Sequence, residues 1–134
     1  MTPRVWPQFL IVVADVERSS RFYRQVIGLE SGHGGPEYEQ LLHGGELVMQ
    51  LHRAGVEDHH GPLADPRVPM GNGVLIWFEV ADFDAAVERA RAAGAAVVRD
   101  VETNPNAGQR EFWFRDPDDY TVVVAGPSPH RPRS

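Results

Sequence analysis

The sequence predicts an α+β fold in which two tandem β-α-β-β-β units form mixed sheets with helices on the outside. Two observations predict it. The tripeptide Val-Ala-Asp at residues 13–15 returns at residues 80–82, and this offset of 67 residues is half of the 134-residue chain. Each copy also stands between a strand-like apolar run and a pattern of helical period. One structural unit repeated at such a spacing indicates a tandem duplication.

The first unit begins with a short β-branched run, Phe9–Val13, which is typical of a strand. Asp15 follows as a suitable helix N-cap, and apolar residues at near-helical spacing predict a helix over 16–27. Gly28 then stops the helix. Further strand patterns lie at 37–42 and 47–52, on either side of a glycine turn at 44–45.

The second unit repeats this order. An apolar run at 75–80 predicts a strand, Asp82 caps the next helix, and Gly94 ends it. Strand patterns follow at 96–99, 111–115 and 120–125, with a turn at 116–119. We therefore predict a single domain at 1–134, with units at about 6–53 and 74–126, a linker at 54–73 and a frayed tail at 127–134.

Composition narrows the classes of function. Without cysteine the chain has no disulfides, thiolate nucleophiles or cysteine-ligated metals. All 13 basic residues are arginine, which excludes lysine Schiff-base chemistry. A net charge of −6 argues against nucleic-acid binding, which normally uses a basic surface. No apolar run is long enough to cross a bilayer, and residues 1–7 lack a signal-like segment. We expect a cytoplasmic protein with no nucleic-acid or membrane partner.

The order of several motifs resembles the vicinal oxygen chelate superfamily, which contains glyoxalases, bleomycin-resistance proteins and extradiol dioxygenases. The resemblance covers about residues 6–126 and points most to the metal-free bleomycin-resistance-like members. It implies sheets that curl into a cup with the ligand inside, and a homodimer. Asp119 stands where the family usually has glycine in its last turn, and aspartate tolerates the left-handed conformation such a turn needs. The motifs that carry the resemblance lie at 13–23, 28–30, 80–82 and 110–118.

The resemblance also implies where metal-dependent members hold their ion, on the first and fourth strands of each unit. The corresponding positions here are Gln8, Gln50, Leu75 and Val123. Two hydrocarbon side chains and two neutral amides supply no anionic or imidazole ligand for a divalent ion. We therefore predict no metal and no cofactor.

Other polar residues leave alternatives open. His52 lies two residues after Gln50 and hence on the same strand face, so a shifted metal site of Gln8, His52 and Glu79 is conceivable. The interpretation we favour is that His52 and Glu79 are ordinary polar wall residues. The adjacent pair His59-His60 lies on a predicted loop, where neighbouring side chains diverge, and this favours a solvated loop over a metal site.

Two-residue alternation predicts which side chains line the cup. On the strand at 75–80, Leu75, Trp77 and Glu79 share the face opposite the helix. Two indoles, aliphatic walls and a few polar groups suit a planar, partly apolar molecule, and the carboxylates favour a cationic or basic one. The predicted ligand-binding residues are Gln8, Leu10, Gln50, His52, Leu75, Trp77, Glu79, Glu111, Trp113 and Val123.

Two functional hypotheses follow. The first is a metal-free protein that sequesters a small molecule, supported by the aromatic lining, the missing metal ligands and the likeness of the 110–117 segment to bleomycin-resistance proteins. The alternative is a lyase, isomerase or dioxygenase that uses the shifted metal site, or His52 and Glu79 as acid and base without a cofactor. No other catalytic residue is predicted, because no nucleophile–base pair is evident.

Overall fold

A computed structural model describes residues 3–56 and 61–129. The chain divides into two compact units, the first ending at Pro66 and the second beginning at Arg67. Each unit is a four-stranded mixed sheet with one helix. The predicted α+β fold of two β-α-β-β-β units is therefore confirmed, while the predicted extents of the units, linker and tail remain predictions.

In unit 1 the sheet has the order β1-β4-β3-β2. Strands β1 and β4 are parallel, and the two other pairs are antiparallel. Strand β1 lies at one edge of the sheet, and α1 connects it to β2 at the opposite edge. The elements are β1 (Phe9–Val13), α1 (Val16–Val26), β2 (Glu30–Gly34), β3 (Tyr38–His43) and β4 (Glu46–Arg53).

Unit 2 repeats the topology, with sheet order β5-β8-β7-β6 and a parallel β5–β8 pair. Strand β5 is thus the counterpart of β1, and β8 is the counterpart of β4. The elements are β5 (Leu75–Glu79), α2 (Phe83–Ala92), β6 (Val97–Thr103), β7 (Arg110–Arg115) and β8 (Thr121–Ala125).

The two helices begin and end alike. Asp15 Oδ1 accepts a hydrogen bond from the Arg18 N–H at 3.1 Å, and Asp82 Oδ1 accepts one from the Ala85 N–H at 3.1 Å. Gly28 and Gly94 follow the helix ends with φ of +89° and +72°, a region that favours glycine. The two aspartates are therefore equivalent in the duplication. No helix in the described part of the chain is long and apolar enough to cross a membrane.

Each helix covers one face of its own sheet. Alternation along the strands separates a helix-bearing face, which forms the core, from the opposite face, here called the helix-free face. In unit 2, Phe112 and Phe114 project toward α2 and are fully buried, in agreement with two-residue alternation along β7. The core side chains of unit 1 include Ile11, Val13, Val16, Tyr23, Val26, Ile27, Leu29, Leu41, Met49 and Leu51.

The last turn keeps its shape with an aspartate at the left-handed position. Asp119 has φ of +68°, and its carbonyl oxygen accepts a hydrogen bond from Arg115 Nη1 at 2.9 Å. Asp116 Oδ1 accepts from the N–H groups of Asp118 and Tyr120 at 2.8 and 3.0 Å. The Asp116 side chain therefore holds the turn through hydrogen bonds, with aspartate in place of glycine at position 119.

The structure differs from the prediction at two strands, β2 and β6, and at three strand ends. Strand β2, with the sequence ESGHG, has no apolar alternation, and it is held by pairing with β3 rather than by its own propensity. Strand β6 extends to Thr103 because β7 pairs with it up to Arg110, across two register shifts. Val80 and Tyr120 lie just outside β5 and β8, and Gln8 lies just before β1.

Candidate functional site

The helix-free face of unit 2 is ordered by strand register into cross-strand rows. Strand β8 lies between β5 and β7, so each of its residues has a partner on both sides. Going along the sheet, the three rows on this face are Leu75, Thr121 and Arg115; then Trp77, Val123 and Trp113; then Glu79, Ala125 and Glu111. All six predicted site residues of unit 2 therefore share one face, namely Leu75, Trp77, Glu79, Glu111, Trp113 and Val123.

The middle row carries two indoles. Trp77 and Trp113 are 6.5 Å apart between ring centroids, with planes at 76°, an edge-to-face geometry. Trp77 is 44% exposed, whereas Val123 between them is fully buried. Val123 therefore lies beneath the aromatic surface, and the two rings form its walls. The Arg99 guanidinium on β6 stacks 4.9 Å from the Trp113 ring and forms an ion pair with Glu102 at 2.6 Å.

The neighbouring row brings two carboxylates to the same face. Glu111 is only 4% exposed, and both of its oxygens are occupied. Oε1 accepts from Trp113 Nε1 at 3.0 Å, and Oε2 accepts from Asn104 Nδ2 at 2.8 Å. Glu79, across Ala125, is half-buried and accepts from the Ser128 N–H at 3.2 Å. The face thus combines indoles with negative charge, and Glu111 fixes the orientation of one indole.

The helix-free face of unit 1 is polar at its centre. In register, Leu10 lies beside Gln50 and Val12 beside His52. Tyr38 on β3 donates its hydroxyl hydrogen to Gln50 Oε1 at 2.6 Å. The ring nitrogen Nδ1 of His52 lies 3.0 Å from the backbone oxygen of the next residue. Gln50, His52 and Leu10 therefore share one face as predicted, but the Gln50 carboxamide is already bound to a phenol.

Several residues of these faces were missed by the sequence interpretation. On β3, Gln40 lies opposite Gln50 and Tyr38 lies opposite His52, and Gln40 Nε2 donates to the Tyr38 hydroxyl at 3.2 Å. Period-two alternation along 38–43 places both on the same side of β3 and was sufficient to find them. Asn104 and Arg99 gave no such signal, because the β6–β7 register shifts decide which residues they reach.

The four positions that the resemblance assigns to metal ligands supply no donors suited to a divalent ion. Val123 is buried hydrocarbon, Leu75 is hydrocarbon, and Gln50 Oε1 accepts the hydrogen bond from Tyr38. Gln8 was placed on the first strand by the sequence, but it lies one residue before β1 and is exposed. A set without anionic or imidazole donors does not replace the hydration shell of a divalent ion.

The residues of the two alternative metal sites lie in different parts of the chain. Gln8 and His52 belong to unit 1 and Glu79 to unit 2, so their predicted joint site remains a prediction. Across residues 3–56 and 61–129, no group of three His, Asp or Glu side chains has a metal-binding arrangement. The His59-His60 pair lies outside the described residues.

Two β-α-β-β-β units, each with parallel first and last strands, are the arrangement of the glyoxalase fold. The chain belongs to the Glyoxalase/Bleomycin resistance protein/Dioxygenase superfamily, whose model matches residues 6–124. Members of this superfamily bind small molecules and often form dimers. No curated protein matches the chain significantly.

Solved structures share the fold. A protein of unknown function from Agrobacterium tumefaciens str. C58 has a TM-score of 0.76 at 24% identity, covering 95% of this chain and 97% of that one. The fosfomycin resistance protein FosX from Mesorhizobium loti has 0.66 at 19%, covering 95% and 94%. TioX from Micromonospora sp. ML1 has 0.70 at 20%, covering 89% and 95%. Identities this low show the fold alone.

Proposed function

We propose that this chain is a small-molecule-binding protein that captures a planar, partly apolar ligand without a metal or other cofactor. The observation that carries the proposal is the indole pair of Trp77 and Trp113 around Val123. Val123 is a position that the resemblance assigns to a metal ligand. An exposed edge-to-face pair offers flat apolar surface to an aromatic ring, and apolar burial contributes roughly 25 cal/mol per Å².

The charge of the face supports a basic ligand. Glu79 and Glu111 flank Ala125, one row from the indoles, and the chain carries a net charge of −6. A cationic planar molecule would stack on Trp77 and place its positive end toward these carboxylates. The resistance protein FosX shares the fold, which supports an antibiotic-like ligand as the first class to screen. Sequestration is then the proposed role.

The first experiment is a thermal-shift screen of planar antibiotics and metabolites, because a ligand that binds only the native state raises the melting temperature. Calorimetric titration of the best ligand follows, with and without a chelator. The Trp77 ring is half-exposed and makes no hydrogen bond within the described chain, so it is available for stacking. Trp77→Ala should therefore weaken binding by about 1–3 kcal/mol. Gln50→Ala should matter less.

The matched control is Trp6→Ala, which removes an indole that is 56% exposed and lies outside the strands of unit 1. It should leave the affinity unchanged. Loss of binding on chelation, or loss with Gln50→Ala alone, would contradict the stacking proposal. Turnover of the ligand that depends on His52 and Glu79 would favour the enzyme alternative, a lyase, isomerase or dioxygenase.

We also propose that the functional form is a cytoplasmic homodimer. Strands β1 and β5 lie at the edges of their sheets and carry exposed apolar side chains, with Leu10 at 39% and Leu75 at 47% exposure. Unpaired edge strands with apolar surface favour association with a second copy. Light scattering at micromolar concentration should report twice the 14.9 kDa mass, and a monomer there would contradict the proposal. Cell fractionation tests the location.

A further inference from the structure

Unit 1 contains a cavity of about 390 Å³ on the helix-bearing side of its sheet. Its walls come from one side of α1, from β2, from the turn after β2 and from β3. This volume lies within the range of small-ligand sites, about 300–1,000 Å³. Because it opens between helix and strands, it is separate from the helix-free faces described above. The lining residues are Val16, Glu17, Ser20, Arg24, Ser31, Gly35, Pro36 and Glu39.

The floor of this cavity holds a buried carboxylate. Glu39 is 8% exposed and follows Tyr38 on β3, so it points to the helix-bearing side together with Leu41. Its Oε1 accepts a hydrogen bond from Ser31 Oγ. No hydrogen bond reaches Oε2 from any described residue, yet no fully buried side-chain oxygen or nitrogen of those residues lacks a partner. Oε2 therefore faces the open space of the cavity.

Glu39 also has no cationic partner among the described residues. A carboxylate taken out of water is costly unless a positive group compensates it, and one hydroxyl is a modest compensation. Arg24, the one guanidinium in the lining, instead donates through Nε to Ser20 Oγ at 3.1 Å. A cationic ligand would supply the positive charge that no described residue places beside Glu39.

Three further polar side chains line the cavity from α1. Glu17, Ser20 and Arg24 are spaced three and four residues apart and so form one stripe along α1. With Glu39, the lining carries two carboxylates and one guanidinium, a net charge of −1. An ammonium group has three donors and no acceptor, which matches carboxylate and hydroxyl oxygens. Two carboxylates alone are fewer anionic ligands than a dedicated divalent-ion cage uses.

We propose that this cavity binds a small organic cation, whose primary ammonium group donates to Glu39 Oε2 and is attracted by Glu17. Arg24 carries the one positive charge of the lining and opposes the binding of a cation. The site is independent of the indole face, and each can fail without the other.

The test is an NMR titration of the full chain, following backbone amide signals. The probe is 1,4-diaminobutane, and succinate of similar length serves as the anionic comparison. We expect the diamine to shift amide signals of Glu17, Ser31 and Glu39, and succinate to leave them in place. Shifts spread over the acidic surface, or shifts with succinate, would overturn the proposal.

Three variants make the test specific. Glu39→Gln keeps the shape but removes the charge, and should weaken diamine binding about tenfold or more. Glu37→Gln is the matched control, because Glu37 is exposed on the same hairpin and does not line the cavity. Arg24→Gln should tighten binding, since it removes the one positive charge from the lining.

The sign of the Arg24→Gln effect separates electrostatic recognition from a structural role. Tighter binding supports the proposal even if Glu39→Gln does not fold. Unchanged or weaker binding in Arg24→Gln, or equal effects of Glu39→Gln and Glu37→Gln, would overturn it. A ligand of the indole face should shift signals of unit 2 instead, so failure here is distinguishable from failure of the proposed function.

Discussion

Trp77 and Trp113 meet edge to face across Val123, with ring centroids 6.5 Å apart. Their roles differ in spite of this symmetry. Trp113 Nε1 donates to the buried Glu111 carboxylate at 3.0 Å, which fixes the ring. Trp77 is 44% exposed, and its indole makes no hydrogen bond with the described residues, so the ring depends on packing alone. One indole is held by a hydrogen bond, and the other is exposed.

Replacing each indole by phenylalanine should separate these roles. Trp113→Phe removes the donor to Glu111 and leaves a buried carboxylate oxygen without its partner. The free energy of unfolding should fall by about 1–3 kcal/mol. Trp77→Phe is the matched control and should change it by about 0.5 kcal/mol or less. Urea unfolding measures both, and equal losses would show that the Glu111 hydrogen bond is not what distinguishes the rings.

The two helix caps should contribute equally. Asp15→Ala and Asp82→Ala each remove a side-chain acceptor for an N–H of the first helical turn. Each should lower the free energy of unfolding by about 1 kcal/mol. Glu88→Ala, at an exposed position inside α2, is the control and should have little effect. A cost at one aspartate but not the other would argue against their functional equivalence in the duplication.

The left-handed residue of the last turn should tolerate glycine and reject a branched side chain. Asp119→Gly relieves the cost of φ at +68° and should be neutral or stabilise the fold by up to about 1 kcal/mol. Asp119→Val should destabilise it by about 1–2 kcal/mol. Thermal unfolding gives the comparison. Asp118→Gly, one residue earlier, has no positive φ to relieve and should destabilise the turn.

Asp100 should titrate below the ordinary carboxyl range. The backbone N–H of Val101 is the main cause of its lowered pKa, and the Arg91 guanidinium, bound at 2.7 Å, is the next. Because the folded pKa is the lower one, the associated stability is present at neutral pH and is lost as pH falls through the folded pKa. NMR titration of the carboxyl group should show the pKa rising in Arg91→Gln but staying below normal. A full return to the ordinary pKa would show that the Val101 N–H is not the main cause.

Repetition in the sequence was enough to predict most of the architecture. Asp15 and Asp82 occupy equivalent caps, because capping and helix-stopping residues act through local geometry that the sequence reports directly. Alternation placed Trp77 and Trp113 on one face and Phe112 and Phe114 on the other. Strand β2 was not predicted, because its residues have neither apolar alternation nor β propensity.

By itself, then, the sequence determined the tandem fold, the helix boundaries and the residue types on each strand face, since these depend on periodicity and on local backbone preferences. The tertiary structure alone decided which side chains meet across strands. The parallel β5–β8 and antiparallel β7–β8 registers bring Trp77 and Trp113 together over Val123, and the bulged β6–β7 register lets Asn104 reach Glu111. The helix-to-sheet packing of unit 1 likewise enclosed Glu39, because burial depends on neighbours far away in sequence that no local pattern encodes.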